Sequence, residues 1–308
     1  MSAVSADISE AIEAIRQDRA HGAGWLAREA VNVLVQSLQD CPPAAGREEF
    51  LSYLREVGQA LARAQPSMAA VSNAVGAVVL AAARKAEAGS LPATRRAAVV
   101  RARQIIASWD KAVSRIIHYA ERTVPPKAGI LTHSYSATTL AVLEHLGRQG
   151  AGVIATESAP LYEGRATARH LARLGVAVTL ISDAQAGSFV SRASAVLVGA
   201  DTVFANGAVV NKVGTYTLAL LAGKAHIPFY VATETLKVAS TRPTLGSGGE
   251  NAWETRGGDL VGAIPAVYFD LTPPRLVTAL ITEQGVLRPR EIRPLAIRAR
   301  QYRRALFG

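Results

Sequence analysis

Residues 195–222 read AVLVGADTVFANGAVVNKVGTYTLALLA. The stretch opens with an apolar run that is typical of a strand buried on both faces, and this run ends at Asp201. It closes with apolar residues at helical spacing after Gly214, and Lys212 stands between the two patterns. The chain has 34 basic residues, of which only six are lysines. A lysine beside a buried strand indicates an anionic partner, because an unpaired buried ammonium is costly.

The same alternation of strand and helix patterns continues from residue 129 onward. Short β-type runs (GILTHS, GVIATES, AVTLISD, IPFYVAT and AVYFDL) are separated by helical segments such as TTLAVLEHLGRQG and GRATARHLARLG. Strands buried on both faces and joined by helices are typical of a parallel sheet with helices on each side. We therefore predict an α/β fold with a Rossmann-like, doubly wound parallel sheet.

The first 125 residues show a different pattern. Apolar residues recur at three- and four-residue intervals in ISEAIEAIRQD, EEFLSYLREVGQALARA and the long segment from residue 91 to 124, which predicts helices. The prolines and glycine of VPPKAG, residues 124–129, mark the change. We predict an N-terminal helical domain over 1–125 and an α/β ligand-binding domain over 126–308, which includes a basic C-terminal tail.

Composition limits the classes of function. Hydrophobic residues make up 49% of the chain and charged residues 19%, which is typical of a globular protein. The single cysteine, Cys41, excludes an internal disulfide, and the six histidines lack metal-ligand spacing, so we predict no metal and no cofactor. The acidic N-terminus is unlike a signal peptide, and the longest near-apolar run, 74–83, is about half of a membrane span. We expect a cytoplasmic protein.

The net charge of +10 is concentrated at the C-terminus, where RPREIRPLAIRARQYRRALFG carries seven arginines and one glutamate. Such a tail either contacts nucleic acid or an acidic partner, or packs on a neighbouring surface with its guanidinium groups in solvent. No nucleic-acid motif accompanies it, so nucleic acid is the less favoured partner. The segment 240–258, rich in Gly, Ser and Thr, is either an active-site lid or a plain surface loop.

Polar residues follow each predicted strand. The segments THSYSATT, TESAPLYEGR, SDAQAG and TETLK place hydroxyls, carboxylates and lysines at the carboxyl edge of the sheet, where open parallel sheets bind ligands. None matches a dinucleotide or P-loop pattern. Asp201 is either an acid with a raised pKa or a turn-forming aspartate, and Ser134 and Ser136 precede a helix that they can cap.

Five segments in fixed order resemble one family: ILTHSYSATTLAVLEHL, VIATESAPLYEGRATARHLARLG, VLVGADTVFANGAVVNKVGTYTLALLA, IPFYVATETLK and FDLTPPRLVTALITEQGV. This family comprises the alpha, beta and delta subunits of translation initiation factor 2B, together with ribose-1,5-bisphosphate isomerase and methylthioribose-1-phosphate isomerase. The resemblance is strong over 129–287 and weak in the helical half. It implies a homodimer or higher even oligomer and a phosphorylated sugar or nucleotide as ligand.

The resemblance also implies roles for individual residues. In the isomerases a cysteine and an aspartate handle protons; Asp201 matches the aspartate, whereas Ser134 replaces the cysteine. The implied substrate-binding positions include one departure at His21 in HGAG (with Gly22, Ala23 and Gly24) and another at Gln65, where the enzymes have arginines. The remaining implied substrate-binding positions are Ser136, Asn211, Lys212 and Lys237.

Three functions stay open at this point. The first is a regulatory or non-classical homologue that binds a sugar phosphate or nucleotide. The second is an aldose–ketose sugar-phosphate isomerase that uses Asp201. The third is a genuine translation initiation factor subunit. A serine hydroxyl is a far weaker acid than a thiol of pKa about 8.5, so Ser134 favours the first and Asp201 favours the second.

Overall fold

The computed structural model describes residues 4–18, 21–40, 46–240, 253–254, 264–265 and 267–308. The N-terminal half is helical, as the apolar spacing predicted. Its helices are α1 (Ala6–Gln17), α2 (Ala23–Asp40), α3 (Arg47–Ala64), α4 (Ala69–Ala86) and α5 (Leu91–Thr123). Ser5 and Ser90 cap α1 and α5 by accepting backbone N–H groups, which is why these helices begin where they do.

Helix α4 is the centre of this half. It packs against α2, α3, α5 and the C-terminal helix α10 (Arg293–Phe307). A helix that is surrounded on all sides needs no polar face, and this explains the run of alanines and valines from Ala69 to Ala86. By length and composition α4 would suit a membrane span, but 67% of it is buried inside the protein, which is the packing of a core helix.

The second half combines short strands with helices. The strands are β1 (Gly129–Thr132), β2 (Gly152–Thr156), β3 (Val178–Ile181), β4 (Ala195–Val198), β5 (Thr202–Val203), β6 (Val209–Lys212), β7 (Phe229–Ala232), β8 (Trp253–Glu254), β9 (Ile264–Pro265), β10 (Phe269–Thr272), β11 (Ala279–Thr282) and β12 (Gly285–Leu287). The helices are α6 (Ala137–Arg148), α7 (Glu163–Arg173), α8 (Ala186–Phe189), α9 (Thr215–Lys224) and α10.

Seven strands form the main sheet in the order β12-β11-β7-β4-β1-β2-β3. All neighbouring pairs are parallel except β11 with β12. From β1 the chain moves outward to β2 and β3, and then returns to place β4 on the other side of β1. The strand order therefore reverses between β1 and β4, and ligands bind at such a point in doubly wound sheets.

Both faces of the main sheet are covered. Ile130 and Leu197 belong to a core cluster shared with α5, α6 and α7. Leu131 and Val196 belong to another cluster, shared with α8 and α9. Successive strand residues point to opposite faces, so a central strand such as β4 is apolar and buried throughout. The predicted α/β class, with a helical region followed by a mainly parallel sheet, is confirmed.

A three-stranded antiparallel sheet, β10-β6-β5, stands beside the main sheet. It carries Asn211 and Lys212, which pair in register with Asp270 and Phe269. β8 and β9 form a separate antiparallel pair. Most of the segment 240–258, which we predicted to be a lid or a surface loop, lies outside the described residues, and so does Cys41.

The basic tail returns to the helical half. Leu306 of α10 is fully buried in the core of that half. The side chains of Arg55 and Gln59 in α3 donate to the carbonyl oxygens of Ala305 (3.0 Å) and Leu306 (2.6 Å). The arginines of α10 lie on the exposed surface. The tail therefore packs on a neighbouring surface with its guanidinium groups in solvent, which is the second of the two alternatives given above.

The contact between α4 and α10 depends on Gly76. A Cβ atom there would lie 2.7 Å from the carbonyl oxygen of Tyr302, so Gly76→Ala should lower the free energy of unfolding by about 1–3 kcal/mol. Gly223 in α9 is the matched control: its nearest neighbour would be a Leu276 methyl at 3.8 Å. Gly223→Ala should be neutral or stabilise by up to about 1 kcal/mol. Urea unfolding of both variants measures this, and equal effects would contradict the close approach.

Candidate functional site

The reversal point of the sheet brings together the residues that follow β1 and β4. The Thr132 hydroxyl donates to the Leu197 carbonyl oxygen at 2.8 Å, which ties the two strand ends together. A Cβ atom on Gly199 would lie 2.6 Å from the Ser136 Oγ, so only a glycine allows the loop after β4 to approach α6 this closely. Residues 133–136 and 199–202 therefore lie together at the carboxyl ends of β1 and β4. We call this place the crevice, because doubly wound sheets bind ligands outside their strand ends at such a reversal point.

Asp201 lies in this crevice with a partly exposed side chain. Its backbone N–H donates to the Val210 carbonyl oxygen at 2.9 Å, which fixes its position. Within the described part of the chain, its carboxyl group makes no hydrogen bond. Burial raises the pKa of Asp201, and the Lys237 and Lys212 ammonium groups counteract this only in part. The group can therefore hold a proton at a higher pH than an ordinary aspartate, as an acid requires.

Lys212 reaches the crevice from β6. Lys212 is buried, with 6% of its surface exposed. Its ammonium nitrogen lies 2.6 Å from the Oε1 atom of Glu163, which is in the first turn of α7. The ammonium also lies 5.6 Å from the centroid of the Tyr268 ring. The anionic partner that the sequence predicted for Lys212 is thus, in this structure, a carboxylate of the chain itself.

Lys237 has a similar environment on the other side of the crevice. Its ammonium lies 2.9 Å from the Oε2 atom of Glu234, and both residues are buried. Glu234 also accepts a hydrogen bond from the Thr138 hydroxyl. Although burial raises the pKa of Glu234, Lys237 and the Thr138 hydroxyl more than offset this, and the net shift is downward. The pair is therefore an ionised couple held inside the protein.

The helical half holds the Lys237 segment in place. The Asn73 amide of α4 donates to the carbonyl oxygens of Leu236 and Val238, each at 2.7 Å, on either side of Lys237. A second contact lies beside Asp201, where the Thr202 hydroxyl donates to the Ser67 carbonyl oxygen at 2.8 Å. Both halves of the chain therefore determine the geometry of the crevice.

Ser134 follows β1 in a left-handed conformation, with φ 65°. Its N–H donates to the Ser158 Oγ at 2.7 Å, and its carbonyl oxygen accepts from the Thr167 hydroxyl at 2.8 Å. Its own hydroxyl makes no hydrogen bond to a described residue. The backbone is fixed, but no base among the described residues hydrogen-bonds the hydroxyl, as activation of a nucleophile would require.

His133 is a buried neutral imidazole. Its Nε2 lies 2.7 Å from the Val213 carbonyl oxygen, which can only accept, so Nε2 carries the proton. Its Nδ1 then accepts from the Thr156 hydroxyl at 2.6 Å. Burial lowers the pKa of His133, with the hydrogen bond to Val213 opposing. A Cβ on Gly214 would lie 2.8 Å from the ring, so this packing also requires a glycine. His133 is thereby committed to structural contacts.

Two other predicted substrate-binding residues also make local contacts. Ser136 caps α6, because its Oγ accepts the Thr139 N–H at 3.3 Å. The amide of Asn211 donates to the Thr215 hydroxyl at 3.0 Å, and this hydroxyl in turn donates to the Lys212 carbonyl oxygen. Asn211 is buried and directly precedes Lys212 in β6.

The predicted residues of the helical half form a second cluster around Asp18. His21 contacts the Asp18 carboxylate through Nδ1 at 2.7 Å and stacks on Trp25, with ring centroids 3.8 Å apart. Gln65 is buried and donates to the carbonyl oxygens of Ile15 and Asp18. Gly22 to Gly24 lead into α2, where a Cβ on Gly24 would lie 3.2 Å from Trp109. These contacts hold the end of α1, the start of α2 and the segment after α3 together.

Several important residues were not singled out from the sequence. Glu163, Glu234 and Ser158 lie in segments that were recognised as strand ends, but nothing in their spacing showed which lysine or backbone group each would contact. Asp270 is another: its Oδ2 accepts the N–H groups of Gly214 (2.7 Å) and Tyr216 (3.0 Å) at the start of α9. In the described ranges, no group of three or more His, Cys, Asp or Glu side chains is placed to hold a metal.

Comparison with known proteins gives consistent matches. The model of the initiation factor 2 subunit family matches residues 19–289. The ribose 1,5-bisphosphate isomerase of Archaeoglobus fulgidus is 31% identical, covering 92% of this chain and 90% of that protein. The methylthioribose-1-phosphate isomerase of Desulforudis audaxviator is 35% identical, over 91% and 86%. The crystal structure of the Pyrococcus horikoshii translation initiation factor eIF-2B superposes with a TM-score of 0.74 at 31% identity, covering 92% and 98%.

Asp270 gives a test of the site's electrostatics. Burial raises the pKa of Asp270 to about 6, against the lowering effect of its two N–H donors. The folded state therefore keeps a proton that the unfolded state loses near pH 4, so this group's stabilising contribution is full below about pH 4 and is lost as the pH rises to about 6. Because the side chain is partly exposed, we expect a change on the order of 1–2 kcal/mol.

The measurement compares urea unfolding of the wild type and Asp270→Asn between pH 4 and pH 7. The amide can still accept the two N–H groups but does not titrate. The free energy of unfolding of the wild type should fall relative to that of the variant as the pH rises. Parallel pH profiles for the two proteins would contradict the raised pKa.

Proposed function

The chain belongs to the initiation factor 2 subunit family, and we propose that it binds a phosphorylated sugar or nucleotide in the crevice at the ends of β1 and β4. The observation that carries the proposal is a pair of buried lysines, Lys212 and Lys237, whose ammonium groups both act on the carboxyl group of Asp201. Ammonium groups suit phosphate oxygens, and Asn211 can hydrogen-bond a sugar hydroxyl. The relatives named for ribose 1,5-bisphosphate and methylthioribose 1-phosphate support this class of ligand.

The primary role we propose is regulatory or non-classical binding. Ser134 occupies the position at which the isomerases that the chain resembles have a cysteine. The neutral His133 beside it already donates to a carbonyl oxygen and accepts from Thr156, so it does not serve Ser134 as a base. A serine hydroxyl without a base cannot exchange protons in the way that a thiol of pKa about 8.5 does.

A second candidate, sugar-phosphate isomerisation, is favoured by Asp201. When an aldose 1-phosphate becomes a ketose, the C1–O4 ring bond breaks, the C2 proton moves to C1, and C2 becomes the carbonyl carbon. The O2 hydroxyl gives up its proton and O4 gains one, so no atoms or electrons are gained or lost overall. A carboxyl group with a raised pKa, free of hydrogen bonds to described residues, can supply and recover a proton at the sugar oxygens. Asp201 would be the acid in this reaction.

We also propose that the protein is cytoplasmic and forms a homodimer or a higher even oligomer through its α/β half. Large apolar side chains are exposed there, among them Leu161 (44%), Leu180 (48%) and Leu220 (44%). Exposed apolar side chains of this size, where they lie together, are a feature of association surfaces. Sedimentation velocity measures the oligomeric state directly.

Lys212 provides the test of binding. Lys212→Gln should weaken the binding of ribose 1,5-bisphosphate or methylthioribose 1-phosphate about tenfold to a hundredfold, because a charge-assisted contact with phosphate is lost. The side chain of Glu163 is 29% exposed, so it can turn to solvent when its partner is removed. Lys224→Gln, an exposed lysine at the end of α9, is the matched control and should leave affinity unchanged. Isothermal titration calorimetry measures the affinity of each variant. Equal affinities of the wild type and Lys212→Gln would contradict phosphate binding at Lys212.

Asp201 provides the test of chemistry. If the protein is an isomerase, Asp201→Asn should reduce ketose formation by at least about a hundredfold, because the amide cannot donate and recover a proton. Binding should change far less than turnover. The measurement is ¹³C NMR of C1-labelled sugar phosphate with wild type and variant. Turnover by the wild type that survives in Asp201→Asn would contradict the acid role, and absence of turnover in the wild type would favour the binding role.

A further inference from the structure

Glu163 lies at the position where an anionic ligand of Lys212 would have to bind. It is the first residue of α7, and its Oε1 is 2.6 Å from the Lys212 ammonium. Its other oxygen, Oε2, is buried and has no hydrogen-bond partner among the described residues. A buried carboxylate oxygen without a donor is costly, and among the described residues Lys212 is the ion-pair partner that offsets this cost.

The charge of the crevice shows the consequence. Lys212 and Lys237 contribute two positive charges, and Glu163 and Glu234 contribute two negative charges. These four charges cancel when Asp201 is protonated, and the five groups together are negative when Asp201 is ionised. A phosphate dianion gains little on entering such a site, because each ammonium group is already compensated.

The two ion pairs differ in how easily they open. The side chain of Glu234 is 5% exposed and also accepts a hydrogen bond from the Thr138 hydroxyl. Separating Glu234 from Lys237 would therefore leave an unpaired charge buried inside the protein. The side chain of Glu163 is 29% exposed and lies in the first turn of α7, so part of it already faces solvent. The Lys212–Glu163 ion pair can therefore open to admit a ligand, whereas the Lys237–Glu234 pair stays closed.

We propose that Glu163 is an internal competitor that keeps free anions off Lys212 and must turn away before a phosphorylated ligand binds there. This inference rests on the proposed binding function and adds a regulatory step to it. A ligand that contacts the crevice at several points can displace Glu163, whereas inorganic phosphate is excluded. Neutralising Glu163 should then open the site even to inorganic phosphate.

The experiment titrates inorganic phosphate into the full-length wild type, Glu163→Gln and Glu163→Ala at low ionic strength, with heat release as the readout. Removing the competing charge should strengthen phosphate binding at least about tenfold in both variants. Glu157→Gln is the matched control, because Glu157 pairs with Arg165 across the surface of the same segment at 2.6 Å. The control should bind phosphate like the wild type. Adding Lys212→Gln to Glu163→Gln should abolish the gain.

The outcomes separate this inference from the proposed function. A gain in both Glu163 variants that requires Lys212 supports the competitor role. Equal phosphate binding in wild type and variants, or no binding in any of them, overturns it. If the variants gain phosphate binding while the wild type binds no phosphorylated sugar, the competitor role stands and the proposed function of the wild type fails.

Discussion

Two ammonium groups buried at the carboxyl edge of one sheet require two carboxylates beside them, and the rest of the site follows from this constraint. Glu163 comes from the segment after β2 and Glu234 from the segment after β7, on opposite sides of the reversal between β1 and β4. Only the strand order β7-β4-β1-β2 brings them to one crevice. The sheet topology is therefore what places these charges around Asp201.

The helical half is part of this arrangement. Asn73 of α4 holds the backbone on both sides of Lys237, and Thr202, next to Asp201, bonds to the segment between α3 and α4. Helix α4 is in turn packed against α10, whose last turn is anchored by Arg55 and Gln59. The C-terminal helix thus supports the helix that positions Lys237, and this gives the basic tail a structural role.

The sequence predicted the fold class well, because strands buried on both faces and helices with apolar spacing leave patterns that a single chain shows. It also placed Asp201, Asn211, Lys212 and Lys237 at one edge. It did not predict the partners of the lysines, since a contact such as Glu163–Lys212 joins residues far apart in sequence. Nor did it show that Gln65 and His21 gather around Asp18, because caps and joints depend on packing between helices.

The proposed function requires that ligand binds where the strand order reverses. Hydrogen–deuterium exchange of the intact protein, with and without ribose 1,5-bisphosphate, tests this requirement most directly. We expect the ligand to slow exchange in residues 132–136, 199–202 and 211–216 and in the first turn of α7, with little change in α1 and α10. Slowed exchange confined to the helical half, with none at the ends of β1 and β4, would contradict it.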